Sequence, residues 1–184
     1  MKKRCEWAKD EPNTTYHDNE WGIPVHDDVI LFEFLILEGA QAGLSWSTIL
    51  NRRNGYRIAF SNFDVVAVSK YTQNHVKKLV QNKDIIRNKL KINSAINNAK
   101  QFIKIQKEFG SFDEYLWGFV NHKPIKNNFK KYSDLVCSSI ISEKLSQDLK
   151  KHGFTFVGPI ICYSLMQAVG MVNDHTSDCF KYAK

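Results

Sequence analysis

The sequence predicts an all-α fold in one domain, residues 1–184, and three observations carry that expectation. In the longest patterned stretch, Ile85, Ile86, Leu90, Ile92, Ala95, Ile96, Ala99, Phe102, Ile103 and Leu116 recur at helical rather than alternating spacing. No segment has the apolar–polar alternation of a convincing strand. Capping residues and glycines fall where helices of ordinary length would begin and end. A chain of this length buries a substantial core, and no linker-like segment divides it.

Taken in order, Asp27 and Asp28 precede the apolar run Val29 to Leu37 and suit the positive end of a helix dipole, so a helix is expected to run to about Glu38. Gly39 permits the chain to leave helical geometry, and Gly43 is a second permissive point before Leu44. Ser45 can cap a further helix to about Arg53, closed by an Asn54-Gly55 turn. Gly110-Ser111 ends one helix and caps the next, whose apolar face is Phe112, Tyr115, Leu116 and Phe119. Asn121 to Pro124 is a turn and Ile125 to Ser139 a long loop. Helix signals resume from Ser142 to His152, with Gly153 as the C-cap. Pro159, after Gly158, starts a last helix toward Gly170.

Apolar residues make up 43% and charged residues 24%, ordinary for a soluble globular protein and against disorder. No apolar run approaches the roughly 20 residues of a membrane span, and Met1-Lys2-Lys3-Arg4 leads into no signal-peptide core. The expected compartment is the cytoplasm. A net charge of +7 and a pI near 9.2 favour polyanionic partners. Between Val76 and Lys107 nine basic residues face one acidic residue, Asp84, which fits either a nucleic-acid surface or a solvated helix face.

The stretch from Tyr16 to Trp46 carries the chemistry. Glu38 ends a segment that should be buried, where a carboxylate without partners is costly. Tyr16, Trp21 and Trp46 supply flat faces with polar tips. Two accounts fit: a cavity gathered around Glu38, or a helix end packed on an aromatic core with Glu38 turned to water. The four cysteines, at 5, 137, 162 and 179, are too few and irregular for a disulfide framework. Two have histidine company. His175 and Cys179 share a helical face if their segment is helical, and with Cys5 and His17 they make a Cys2His2 set suited to tetrahedral zinc. Four protein ligands leave no open position, so such a site would be structural. The wide separation of the two halves fits coincidence as well.

Several motifs in the right order resemble the type I 3-methyladenine DNA glycosylases of the helix-hairpin-helix superfamily. They are Cys5 and Trp7, Tyr16 to Gly22, Leu37-Glu38 with Gln41 to Trp46, Phe119 to Pro124, Gly153 to Gly158, and Val172 to His175 with Cys179. The resemblance spans nearly the whole chain. It implies that Glu38, as the catalytic residue, and Tyr16 face a flipped base, that Trp46 stacks on it, and that Trp21 and Trp7 wall the pocket. It implies one structural zinc per chain on Cys5, His17, His175 and Cys179. The loop carrying Gln41, Gly43 and Leu44 would wedge the DNA, and the hairpin at Val157, Gly158 and Pro159 would grip its backbone. The implied partner is alkylated double-stranded DNA, bound by a monomer, with no membrane.

On that resemblance the reaction is hydrolytic release of 3-methyladenine. The methylated base is cationic, so a carboxylate and an aromatic face select it. Ile160 stands where strand-cleaving relatives carry a lysine, so the reaction should stop at an abasic site. Asp174 lies near the place of an aspartate that many relatives set beside the sugar, and is a minor candidate. Two other classes compete: a zinc-stapled DNA-binding module without catalysis, and a small-molecule hydrolase with Glu38 as general base. The complete pocket argues against the first, and Leu44 on an exposed glycine loop against the second.

Overall fold

A computed structural model describes residues 2–182. Nine helices account for most of the described chain. They are α1 (Asn13–Asn19), α2 (Asp28–Gln41), α3 (Trp46–Ala59), α4 (Val65–Ser69), α5 (Gln73–Leu79), α6 (Lys89–Phe109), α7 (Phe112–Gly118), α8 (Ile140–Lys151) and α9 (Pro159–Ala168). Among the described residues no helix is long and apolar enough to cross a membrane.

The centre is α2, in which every residue from Leu31 to Ala40 is buried. A helix covered on all sides must have neighbours on all sides, and α3, α6, α7 and α9 pack around it. Asp27 caps its start by accepting hydrogen bonds from the backbone N–H groups of Val29 and Ile30, 2.8 and 3.0 Å. The far end differs from expectation. The helix runs through Gly39 to Gln41, a single glycine being tolerated inside a helix packed on all sides; a Cβ there would sit in ordinary contact with Cβ of Phe156, at 3.4 Å. The chain turns instead at Gly43, whose φ is +78°.

Ser45 caps α3 as expected, accepting from the Thr48 N–H at 3.2 Å. The expected stop at Asn54-Gly55 does not occur, and α3 continues to Ala59. A Cβ on Gly55 would come within 2.3 Å of the Asp84 carbonyl oxygen, so this glycine admits a neighbouring backbone rather than a turn. Ile85 and Ile86 belong to the turn before α6, where the Ile86 N–H donates to the Tyr56 hydroxyl.

One short parallel ladder also departs from the all-helical expectation: β1 (Ile125–Lys126) pairs with β2 (Val172–Asn173). Two residues per strand leave no periodicity to detect in a sequence. The ladder pins the start of the long loop beside the segment leading to His175. Downstream, Ser139 caps α8, Gly153 adopts φ +83° and Pro159 opens α9, so α8, a short loop and α9 pack together as one unit.

Candidate active site: an aromatic pocket around a buried carboxylate

Side chains from α1, α2, α3 and α9 and from the loop before α8 line a cavity of about 610 Å³. Trp7, Tyr16, Trp21, Glu38, Gln41 and Trp46 all face it, so the sequence motifs converge on one place. Glu38 is 4% exposed, which rules out the helix end turned to water. Burial alone pushes its carboxyl up to about 8. The aromatic walls meet mostly at tilted or edge-on angles, with ring centroids 5.3 Å apart for Tyr16 and Trp46 and 5.0 Å for Trp7 and Trp21. Burial first, then Glu38, holds the Tyr16 hydroxyl well above its ordinary pKa, so it remains a neutral donor. The Trp46 indole N–H is buried without a hydrogen-bond partner among the described residues.

An ion cluster behind this pocket ties its supporting helices together. The Arg53 Nε donates to Glu33 Oε1 at 2.6 Å and its Nη1 to Glu20 Oε2 at 2.5 Å, while the Arg57 Nε donates to the same Glu33 oxygen at 2.9 Å. Glu20 follows α1, which carries Tyr16. Glu33 lies on α2 with Glu38, and Arg53 lies on α3 two turns beyond Trp46. Sequence reasoning missed this cluster; the signal available was a glutamate inside an apolar run with no obvious solvent face.

Sequence reasoning also missed the far half of the cavity, formed by Tyr132, Ser133, Leu135, Val136 and Cys137 of the long loop with Tyr163, Ser164 and Gln167 of α9. Ile160, 61% exposed, lines it too. Asp174 does not line the cavity. Its carboxylate is buried and accepts from the Asn127 amide at 2.7 Å and from Tyr163 and Gln167, each at 2.8 Å. It orients two residues of the pocket wall from behind.

Gly43 and Leu44 stand at the tip of the α2–α3 loop, with Leu44 39% exposed. At the α8–α9 loop, Gly158 and Pro159 are partly exposed. Val157 instead points into the core, its carbonyl accepting from the Ser146 hydroxyl at 2.6 Å, so only its neighbours are available to a partner.

Cys5, His17 and Cys179 form a buried group whose donor atoms all lie within 4.8 Å of one another. Asp18 engages His17 Nδ1 at 2.8 Å, leaving Nε2 turned to the Cys179 sulfur at 3.4 Å. Arg4 holds that aspartate from the other side. His175 falls outside the close group, although its ring centroid is only 5.0 Å from that of His17. Its buried Nε2 has no hydrogen-bond partner among the described residues. Two soft sulfurs, an oriented imidazole and an unsatisfied buried imidazole nitrogen fit a tetrahedral cation. The cluster backs the pocket directly: Trp21 packs edge-on against His175 at 4.6 Å and Trp7 against His17 at 5.4 Å.

A helical frame holding a deep aromatic slot, with an unpaired carboxylate in its wall, defines a protein built to receive a flat, electron-poor ring. Comparison with known proteins makes that class particular. Residues 7–182 match the family model for methyladenine glycosylases, and the chain belongs to that family. It is 45% identical to DNA-3-methyladenine glycosylase 1 of Escherichia coli K12 over 98% of this chain and 97% of that protein. Identity to the Haemophilus influenzae DNA-3-methyladenine glycosylase is 41%, covering 97% of both chains. The fold matches 3-methyladenine DNA glycosylase I from Staphylococcus aureus with a TM-score of 0.95 at 35% identity, covering 98% of this chain and 97% of that one.

Proposed function

We propose that this protein excises 3-methyladenine from alkylated double-stranded DNA by hydrolysis, leaving an abasic site. The observation that carries this is Glu38, a carboxylate buried without a counter-charge in the wall of an aromatic pocket, in a chain of the methyladenine glycosylase family. The S. aureus relative of the same fold recognises 3-methyladenine.

A duplex hides the glycosidic bond, so the nucleotide must rotate out, at a cost of a few kcal/mol that is smallest for a damaged base. Leu44 enters the space left behind, and Gly158 and Pro159 of the α8–α9 unit, read as a helix-hairpin-helix, approach the backbone. Methylation at N3 makes the base cationic and weakens its bond to the sugar. Trp46 offers that ring a π face worth roughly 0.5 to 2 kcal/mol, and Glu38 offers it a carboxylate. Binding the cation favours the ionised form of Glu38 over the protonated one. Tyr16, kept neutral, and the unpaired Trp46 N–H remain as donors. Normal adenine is neutral and gains neither the charge attraction nor a weakened bond. Water completes the reaction at an oxocarbenium-like sugar. Among the described residues no lysine lines the cavity, which favours the hydrolytic reading over Schiff-base chemistry.

Cys5, His17, His175 and Cys179 would hold one structural zinc, which would join the chain ends behind Trp7 and Trp21. Elemental analysis should find about one zinc per chain, lost together with thermal stability in Cys5→Ser and His175→Ala; full retention in both would remove these residues from the site. The protein is taken to act as a single domain and a monomer in the cytoplasm. Incubation with methylated DNA followed by chromatography should detect free 3-methyladenine and intact strands at abasic sites. DNA binding with no base released would instead mean a non-catalytic zinc-stapled module.

A further inference from the structure

The basic stretch from Lys77 to Lys107 divides into parts with different surroundings. Lys91 is committed inward: its Nζ donates to the carbonyl oxygens of Ala40 at 2.8 Å and Ala42 at 2.6 Å, capping the end of α2. This places the first turn of α6 within one lysine side chain of the Gly43–Leu44 tip. Lys91 does not line the aromatic pocket, whereas Glu38, Gln41 and Trp46 do. The end of α2 that leads to the loop tip is therefore bonded to α6, while its neighbours Glu38 and Gln41 line the pocket.

The same half of α6 is bolted to the α8–α9 loop. The Asn97 amide donates to the Gly153 carbonyl at 2.8 Å. Asn98 exchanges two bonds of 2.9 Å with the Thr155 backbone, and the Ser94 hydroxyl donates to the Thr155 carbonyl at 3.1 Å. One helix thus carries both loops that meet the DNA in the proposed function. In the turn before α6 and at its first residue, Lys83, Arg87 and Lys89 are exposed, and none has an ion pair among the described residues. Asp84 is the acidic neighbour in this turn. The Arg52 guanidinium donates to the Lys83 carbonyl, holding the turn against α3. The Leu90 and Lys91 amides at the start of α6 already donate to the Asn88 side chain, so the proposal rests on the basic side chains and not on the helix end.

We propose that Lys83, Arg87 and Lys89 form a third DNA contact, gripping backbone phosphates of the duplex flanking the lesion that the Leu44 loop meets. The proposal rests on the DNA-glycosylase function above. Lys100, Lys104 and Lys107 are also exposed on α6 but serve as a contrast. At 1.5 Å per residue Lys107 is about 27 Å along the helix from Lys89, several times the roughly 8 Å screening length at physiological salt.

The test compares wild type, a Lys83→Ala/Arg87→Ala/Lys89→Ala variant and a Lys100→Ala/Lys104→Ala/Lys107→Ala variant. Binding to an undamaged duplex is measured across salt concentrations, together with tryptophan-fluorescence titration of free 3-methyladenine. The first variant should lower the slope of log affinity against log salt by about two to three, near 0.9 for each phosphate no longer neutralised. It should leave free-base affinity as in wild type, which also verifies its fold. The second variant should keep most of the wild-type slope. An unchanged slope in the first variant, or equal drops in both, overturns the proposal. Base release by wild type from methylated DNA is scored separately, so failure of the third grip on DNA and failure of the enzymatic function are distinguishable.

Discussion

Glu33 and Glu38 lie on one helix with 5% and 4% of their surfaces exposed, yet one is saturated with charge and the other has none. Glu33 accepts from both Arg53 and Arg57, and Arg53 reaches on to Glu20. Glu38 has aromatic rings around it, and burial pushes its carboxyl up to about 8. The difference separates two uses of a buried acid. A carboxylate given its cations by the fold holds elements together, and removing a partner exposes the full desolvation cost. A carboxylate denied them is left to meet a cation that arrives from outside, at the expense of stability.

The largest effect should come from Arg53→Ala, which leaves Glu33 and Glu20 short of their shared partner. Breaking a buried pair costs about 3–5 kcal/mol. At about 2–4 °C per kcal/mol for a chain of this size, the melting temperature should drop by roughly 6–20 °C. A change under 1 kcal/mol in denaturant unfolding would mean that the cluster is incidental. Glu38→Gln should do the reverse, keeping or raising stability while excision of 3-methyladenine falls about 10- to 100-fold, or roughly 1.4–2.8 kcal/mol. Gln keeps the size and an acceptor oxygen but not the charge. Unchanged excision in single-turnover assays would make Glu38 a packing residue.

The contrast also has a pH signature. The folded-state pKa of Glu38, about 8, stands above its unfolded value near 4.5, so the native state holds the proton more tightly. Its contribution is complete below about 4.5 and is lost as pH rises to about 8. Over that window stability should fall by at most about 1.4 kcal/mol per pH unit. On the proposed mechanism excision should rise with pH over the same range, because that mechanism uses the ionised form of Glu38. Comparing urea midpoints of wild type and Glu38→Gln from pH 5 to 8 isolates this component; parallel curves would place the titration elsewhere. The smallest effect is expected from Leu44→Ala, a several-fold loss on duplex substrate and almost none on single strands. If Glu38 acts only on a base already turned out, this loss should multiply with that of Glu38→Gln in the double variant, and a strong departure would couple the two steps.

Legibility in the sequence followed the range of the signal. Ser45, Ser111, Gly153 and Pro159 act over a few neighbouring residues, and each marks a helix boundary in the fold, whereas α8 begins at Ile140 behind the Ser139 cap rather than at Ser142 as expected. Gly55 misled because the partner that requires a missing Cβ, Asp84, comes from a distant part of the chain, and Gly39 because a lone glycine is tolerated inside a helix that packing covers on all sides. The resemblance of local motifs located Trp7, Tyr16, Trp21, Glu38 and Trp46, and all five line one cavity. It named four ligands at the chain ends, of which Cys5, His17 and Cys179 form the close group while His175 waits alongside.

By itself, then, the sequence determined the helical class, several helix boundaries and the chemical types gathered in the pocket, since periodicity, caps and motifs are written in adjacent residues; it did not reveal the short helices α1, α4 and α5. Only the tertiary structure decided that Glu38 is unpaired while Glu33 is clamped, that Asp174 is occupied by Asn127, Tyr163 and Gln167, and that Lys91 caps α2 rather than facing solvent. The reason is physical. The cost of burying a charge depends on which groups lie within a few ångströms, and in this chain those groups come from segments that only packing brings together.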